Sequence, residues 1–315
     1  MTMRFAAGAC ALLCLVPFAT APDAAQTGTS RYQRVENWLR APAGQTFGTL
    51  SSVDVDARGF VHVFRRCPEI CDHPKPGEAP SSIWTFDPAG TFVREWGRGV
   101  AREAHTLRVD REGFIWTVDS RGHQVKKLRT DGSLVLALGQ YDVKGEGPDT
   151  FNEPTDVAVA PNGDVFVTDG YQNQRVVKFD RQGRFLKAWG SKGAGPGQFR
   201  LPHTIVRDSR GRLIVGDRCG LAATGCTDNR IQIFDSDGRF LEQWTHMGGG
   251  TLSITPDDTL YVIGNGRVSI ADARTGQVRG TIEKAGGHGL AVDSAGNLYT
   301  AGLADRFSRY TPIRP

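Results

Sequence analysis

Short runs of alternating apolar and polar residues cover most of the chain, and they recur as one unit. The clearest copy reads Thr155-Asp-Val-Ala-Val-Ala-Pro-Asn-Gly-Asp-Val-Phe-Val-Thr-Asp-Gly-Tyr171, continuing as Val176-Val-Lys-Phe-Asp-Arg-Gln-Gly-Arg-Phe-Leu-Lys-Ala-Trp-Gly190. Period-two alternation puts successive side chains on opposite faces of a strand, and Gly with Asp between runs marks turns. Each unit therefore predicts four short strands. The first turns fall at Gly59, Gly113, Gly163, Gly211, Thr259 (in Pro256-Asp-Asp-Thr) and Gly296, at intervals of 54, 50, 48, 48 and 37 residues. Six four-stranded units of this length predict an all-β fold, a six-bladed β-propeller, rather than a sandwich or simple barrel. The sixth copy lacks a fourth strand, and Tyr32-Gln-Arg-Val-Glu-Asn-Trp-Leu39 precedes the first copy as an orphan strand. That N-terminal strand is expected to complete the sixth blade and close the ring, which removes an exposed edge.

The repeat gives the histidines a common address. The position eight residues before each first turn opens the innermost strand, and round the ring it reads Ser51, His105, Thr155, His203, Thr251 and His288. Histidine fills blades two, four and six. Alternate blades of a six-bladed ring are related by a pseudo-threefold axis, so three imidazoles are expected to converge there on one metal ion. Three nitrogen donors with an open position are the pattern of catalytic zinc, although imidazole also suits iron and other divalent metals. His62, His73, His123 and His246 show no such phase and read as ordinary strand or loop residues. The second strand of each blade runs back to the histidine face. Its end delivers Arg66 in blade one, Arg218 in blade four and Tyr171 in blade three. Asp217, beside Arg218, is a candidate partner for that guanidinium.

Composition adds a location and removes a partner class. Residues 1–25 carry one positive charge, an apolar stretch from Phe5 to Phe18, then small residues. This is the layout of a signal peptide rather than a membrane span, with an uncleaved anchor as the alternative. The expectation is a secreted or periplasmic protein with one propeller domain at 26–315 and no membrane association after cleavage. The four cysteines beyond that segment, Cys67, Cys71, Cys219 and Cys226, then predict two disulfides in one of three pairings, the local pairs being favoured. Thirty-eight basic against 34 acidic residues leave a formal charge of +4. No basic run interleaved with aromatics appears, so nucleic acid is not expected as a partner.

Several segments resemble the peptidyl-α-hydroxyglycine α-amidating lyase family, within the wider NHL-repeat group. They are Pro154-Thr-Asp-Val-Ala-Val with Phe166-Val-Thr-Asp-Gly-Tyr171-Gln-Asn-Gln-Arg-Val, then Gly195-Pro-Gly-Gln-Phe-Arg-Leu-Pro-His203, Gly216-Asp-Arg218 and Asn229-Arg-Ile-Gln-Ile-Phe234. The similarity runs from about residue 45 to 312. It implies a zinc site at His105, His203 and His288, a tyrosine base at Tyr171 and cavity arginines at Arg66 and Arg218. It also implies a lyase that splits an acyl- or peptidyl-α-hydroxyglycine, a small molecule or peptide bearing a carboxylate, into an amide and glyoxylate. In that reading the metal and Arg66 favour the Tyr171 phenolate, and Arg218 holds the carboxylate, unless the two arginines exchange roles. The family's third histidine precedes an aspartate that holds structural calcium; Gly289 stands there, which puts calcium in doubt. Another metal-dependent lyase or hydrolase, and a non-catalytic binding or scaffold propeller, are the alternatives that fold alone leaves open.

Overall fold

The computed structural model describes residues 32–67, 81–219, 229–303 and 306–313. The predicted signal peptide, Cys71, Cys226 and His73 lie outside them. The chain opens with β1 (Tyr32–Val35) and then builds blade one from β2 (Thr49–Val55), β3 (Val61–Cys67), β4 (Ser82–Phe86) and β5 (Phe92–Trp96). Blade two is β6 (Ala104–Val109), β7 (Ile115–Asp119), β8 (Gln124–Leu128) and β9 (Leu134–Leu138). Blade three is β10 (Asp156–Val159), β11 (Val165–Asp169), β12 (Arg175–Phe179) and β13 (Phe185–Trp189). Blade four is β14 (Pro202–Arg207), β15 (Leu213–Asp217), β16 (Arg230–Phe234) and β17 (Phe240–Trp244). Blade five is β18 (Thr251–Ile254), β19 (Thr259–Gly264), β20 (Arg267–Asp272) and β21 (Val278–Glu283). Blade six is β22 (Gly289–Val292), β23 (Leu298–Gly302), β24 (Arg306–Pro312) and the returning β1. Each blade is an antiparallel four-stranded sheet, and no helix occurs among the described residues. β1 pairs with β24 from Tyr32↔Pro312 to Val35↔Arg309, so the first described strand closes the ring as expected.

Alternation along the strands explains the core. Val165 and Val167 pack with Trp116, Val118 and Val125 of blade two, whereas Phe166 between them packs with Ile205, Leu213 and Val215 of blade four. Likewise Val63 faces Ala291 and Tyr299 of blade six, and Phe64 faces Leu107 and Ile115 of blade two. The apolar core is thus six seams between neighbouring blades rather than one central mass. The innermost strands are almost wholly buried, while outer strands such as β9 and β13 expose most positions.

The turns hold one correction. Gly59, Gly113, Gly163, Gly211 and Gly296 all take φ between 82° and 91°, the left-handed region open to glycine. In blade five that position belongs to Asp258, with φ 63° and its N–H donating to the Thr255 carbonyl, and not to Thr259. An aspartate tolerates this conformation but hides the turn from a glycine-based reading. The register of blade five therefore moves by one residue, and Gly250 rather than Thr251 shares the phase of the histidines.

Candidate metal centre and active site

Local distortions of the innermost strands present two of the three histidines. The ladder between β6 and β7 shifts register between Ala104 and Thr106, and that between β14 and β15 shifts between Pro202 and Thr204. His105 and His203 are the extra residues, and a bulge of this kind re-aims a side chain. His288 sits just before β22, its N–H donating to the Ala301 carbonyl at 2.7 Å. The three rings meet edge-on, with centroids 4.9 Å (His105–His203), 4.7 Å (His105–His288) and 5.2 Å (His203–His288) apart. Their ligand atoms all lie within 4.8 Å of one another.

Backbone carbonyls of the next blade fix the rings. His105 Nδ1 lies 2.5 Å from the Thr155 carbonyl, and His288 Nδ1 lies 2.7 Å from that of Ser51. A carbonyl only accepts, so Nδ1 carries the proton and the Nε2 lone pair faces the axis. The Gly250 carbonyl acts on His203 from the corresponding position, yet neither ring nitrogen of this buried side chain completes a hydrogen bond. Burial, followed by the like charges of His288, Arg66 and Arg218, holds His105 far below the ordinary imidazole range. Burial and then Arg218 do the same to His203. Burial and then Arg66 push His288 down to about 3. Neutral imidazoles with inward lone pairs, one of them with both nitrogens orphaned, fit a divalent metal, because a buried polar atom without a partner is otherwise costly. Calcium does not fit the place suggested for it. Gly289 offers no ligand, and a Cβ there would sit 2.7 Å from Ser52 Cα.

All six predicted site residues come together. The Tyr171 hydroxyl lies 2.9 Å from His105 Nε2, and its ring centroid is 5.3 Å from that of His105 and 6.0 Å from that of His203. Arg218 lies near enough to Tyr171 for its charge to act on the phenol, while its own Nε is buried without a partner. Burial lowers the Arg218 pKa, the neighbouring phenol opposing it. Asp217 is not its counter-ion. Asp217 pairs with Arg230 at 2.9 Å and accepts the Arg200 and Leu201 N–H groups, which fixes the loop leading to His203. Arg66 is held differently, its Nε donating to the Ala104 carbonyl at 3.0 Å and its Nη1 3.7 Å from the Glu103 carboxylate. Burial raises the Tyr171 pKa, outweighing the pull of Arg218 and Arg66, so the arginines alone do not favour the phenolate.

The sequence reading missed Glu103 and the carbonyls of Ser51, Thr155 and Gly250. Backbone acceptors carry no residue signature, and Glu103 is one acid among 34 acidic residues. Of the other histidines, His62 bonds Thr85 within blade one, His123 accepts the Glu153 N–H, and His246 bonds the Gly276 carbonyl. Cys67 and Cys219 are disulfide-bonded. The pairings expected with Cys71 and Cys226 lie outside the described residues.

Residues 151–179 match the NHL repeat family. The chain is 33% identical over 246 residues to peptidyl-glycine alpha-amidating monooxygenase A of Xenopus laevis, covering 70% of this chain and 25% of that protein. It is 38% identical over 204 residues to the probable peptidyl-alpha-hydroxyglycine alpha-amidating lyase pgal-1 of Caenorhabditis elegans, covering 60% and 56%. It is 30% identical over 315 residues to human NHL repeat-containing protein 3, covering 90% and 84%. The chain thus spans about a quarter of the length of the amidating monooxygenases it matches.

Proposed function

We propose a carbon–nitrogen lyase activity for this chain, which belongs to the NHL-repeat β-propeller family that includes the peptidyl-α-hydroxyglycine α-amidating lyases. The substrate is an acyl- or peptidyl-α-hydroxyglycine, R-CO-NH-CH(OH)-COO⁻, and the products are R-CO-NH2 and glyoxylate. The observation that carries this reading is the Tyr171 hydroxyl 2.9 Å from His105 Nε2, within the field of Arg218. A proton acceptor, an axial donor set and a carboxylate-binding guanidinium thereby share one cavity.

His105, His203 and His288 would hold a divalent metal, with zinc favoured by the donor set and iron an alternative. Such an ion supplies Lewis-acid stabilisation of negative charge developing on the substrate oxygen. The chain's own residues do the rest. Arg218, with an unpartnered buried Nε, receives the substrate carboxylate in a charge-assisted pair. Tyr171 accepts the substrate hydroxyl proton as the C=O bond forms. The C–N bond breaks with its electron pair going to nitrogen, and Tyr171 returns the proton there. With His105 Nε2 holding such an ion, the phenol would lose that acceptor and remain in the field of Arg218, which would favour the phenolate a base requires.

Glyoxylate release from an N-acyl-α-hydroxyglycine tests this reading. Tyr171→Phe is expected to lower kcat by roughly 10²–10⁴-fold, the usual scale of a general base. Equal turnover by the two proteins would remove Tyr171 from that role. A non-catalytic binding propeller is the competing reading, since the chain also matches NHL repeat-containing protein 3 over most of its length. Purified protein without bound metal would support that alternative.

A further inference from the structure

The two cavity arginines differ in what neutralises them. Arg66 is 4% exposed and faces Glu103, itself 4% exposed, across 3.7 Å. Glu103 also accepts the Ser120 hydroxyl at 3.1 Å and lies 3.4 Å from Nε of Arg121, whose side chain is 45% exposed. Arg218 has no acidic partner among the described residues, and its Nε is buried without a hydrogen bond. Both guanidiniums act on His105, so both belong to the same cavity. A buried carboxylate a few ångströms from a guanidinium cancels most of its field at longer range, and in a poorly screened cavity that matters. Among the described residues the cavity therefore offers one uncompensated guanidinium, although it contains two.

We propose that Glu103 is a specificity-determining residue: by neutralising Arg66 it limits the site to ligands with one carboxylate, which Arg218 receives. Glu103 need not touch substrate. It acts through Arg66, keeping that side chain against Ala104 and leaving Arg218 as the anion receptor among the described residues. A ligand with a second carboxylate meets an already paired Arg66 and the negative charge of Glu103 itself. The inference rests on the proposed lyase reading for the identity of the substrate, but not for the count of charges.

The test uses metal-loaded protein and two inert analogues that lack the reacting hydroxyl, N-benzoylglycine with one carboxylate and N-benzoylaspartate with two. Their dissociation constants are measured by calorimetry. Wild type is expected to favour the monocarboxylate by about tenfold or more, the scale of one unit charge at this range in a partly screened site. Glu103→Gln keeps the shape and the bond to Ser120 and is expected to erase that preference, mainly by tightening N-benzoylaspartate. Glu103→Asp keeps the charge and is expected to keep the preference. A purely structural role for Glu103 would weaken both ligands together and leave their ratio unmoved. An unchanged ratio in Glu103→Gln overturns the proposal. So does a wild-type protein that binds both analogues equally, which needs no variant to fold. Failure to release glyoxylate, with the charge preference intact, would overturn the lyase reading and leave this inference standing.

Discussion

The three histidines are held neutral by burial, two of them, His105 and His288, are aimed by backbone carbonyls, and both facts are testable residue by residue. His203→Ala removes the ring whose two nitrogens have no protein partner. It is expected to abolish stoichiometric metal, measured by elemental analysis of purified protein, and full retention would sink the axial site. The depressed histidines also set an acid sensitivity. His288 sits at about 3 in the folded state, against about 6.5 for a free imidazole. A group lowered by folding contributes full stability above about pH 6.5. Below that the unfolded chain takes up a proton that the folded one refuses, so stability falls with pH. Metal-free protein is expected to lose about 2 kcal/mol through His288 as the pH falls from about 7.5 to 5. The melting temperature of metal-free His288→Gln should fall less over this interval than that of wild type, and an equal fall would mean His288 is not held neutral. The convergence of the three histidines was legible in the sequence because the repeat gives each an address. The carbonyls beside them were not legible, since those of Ser51, Thr155 and Gly250 do not depend on residue type.

At the scale of strands, the sequence predicted six blades and their closure because alternation and left-handed turn glycines recur at nearly constant spacing. It slipped by one residue in blade five, where Asp258 occupies the turn position that glycine marks elsewhere. The consequence reaches the site, since the slip hid Gly250, whose added Cβ would lie 2.4 Å from the Ile263 carbonyl oxygen. The bulges that turn His105 and His203 inward were equally hidden, because a one-residue register shift leaves the alternation on either side intact. Closure is the element whose energetic weight is open to direct test. β1 contributes four ladder positions to blade six, and the Tyr32 hydroxyl donates to the Gly296 carbonyl at 3.2 Å. A variant lacking residues 32–36 loses those bonds and the packing of Tyr32 beside Tyr261 and Tyr310, and exposes the edge of β24. The expected loss is at least about 3 kcal/mol, or roughly 6–12 °C for a domain of this size. Scanning fluorimetry measures the shift, and light scattering reports association through the bared edge. An unchanged melting temperature would show that the sixth blade holds without its fourth strand.

A propeller is held together as a whole molecule by what crosses its axis, and here a guanidinium does so. Arg108 of β6 forks onto Asp156 of blade three, with Nε 3.0 Å and Nη2 2.6 Å from the carboxylate oxygens, and Nη2 also reaches the Leu252 carbonyl of blade five. Asp156 in turn accepts the Ile205 N–H of blade four, and Asp54 of blade one accepts the Val109 N–H of blade two within the field of Arg108. One side chain and two carboxylates thereby link five blades. Burial raises the pKa of Asp54 and the positive charge of Arg108 opposes it, so the channel needs a cation. The chain carries that cation covalently, and Gly289 leaves neither a ligand nor space for one beside Ser52. The molecule should therefore be stable without calcium. At a buffered zinc level, adding or chelating calcium is expected to leave the melting temperature unchanged, and a calcium-dependent rise would place a calcium site in the ring after all. Arg108→Met leaves the buried Asp156 and the half-buried Asp54 without their counter-charge, which costs about 3–5 kcal/mol when one partner of a buried pair is removed. Adding Asp156→Asn to that variant removes one uncompensated charge and should restore part of the loss. If the double variant were less stable than Arg108→Met alone, the backbone bonds of Asp156 rather than its pairing with Arg108 would be what joins the blades.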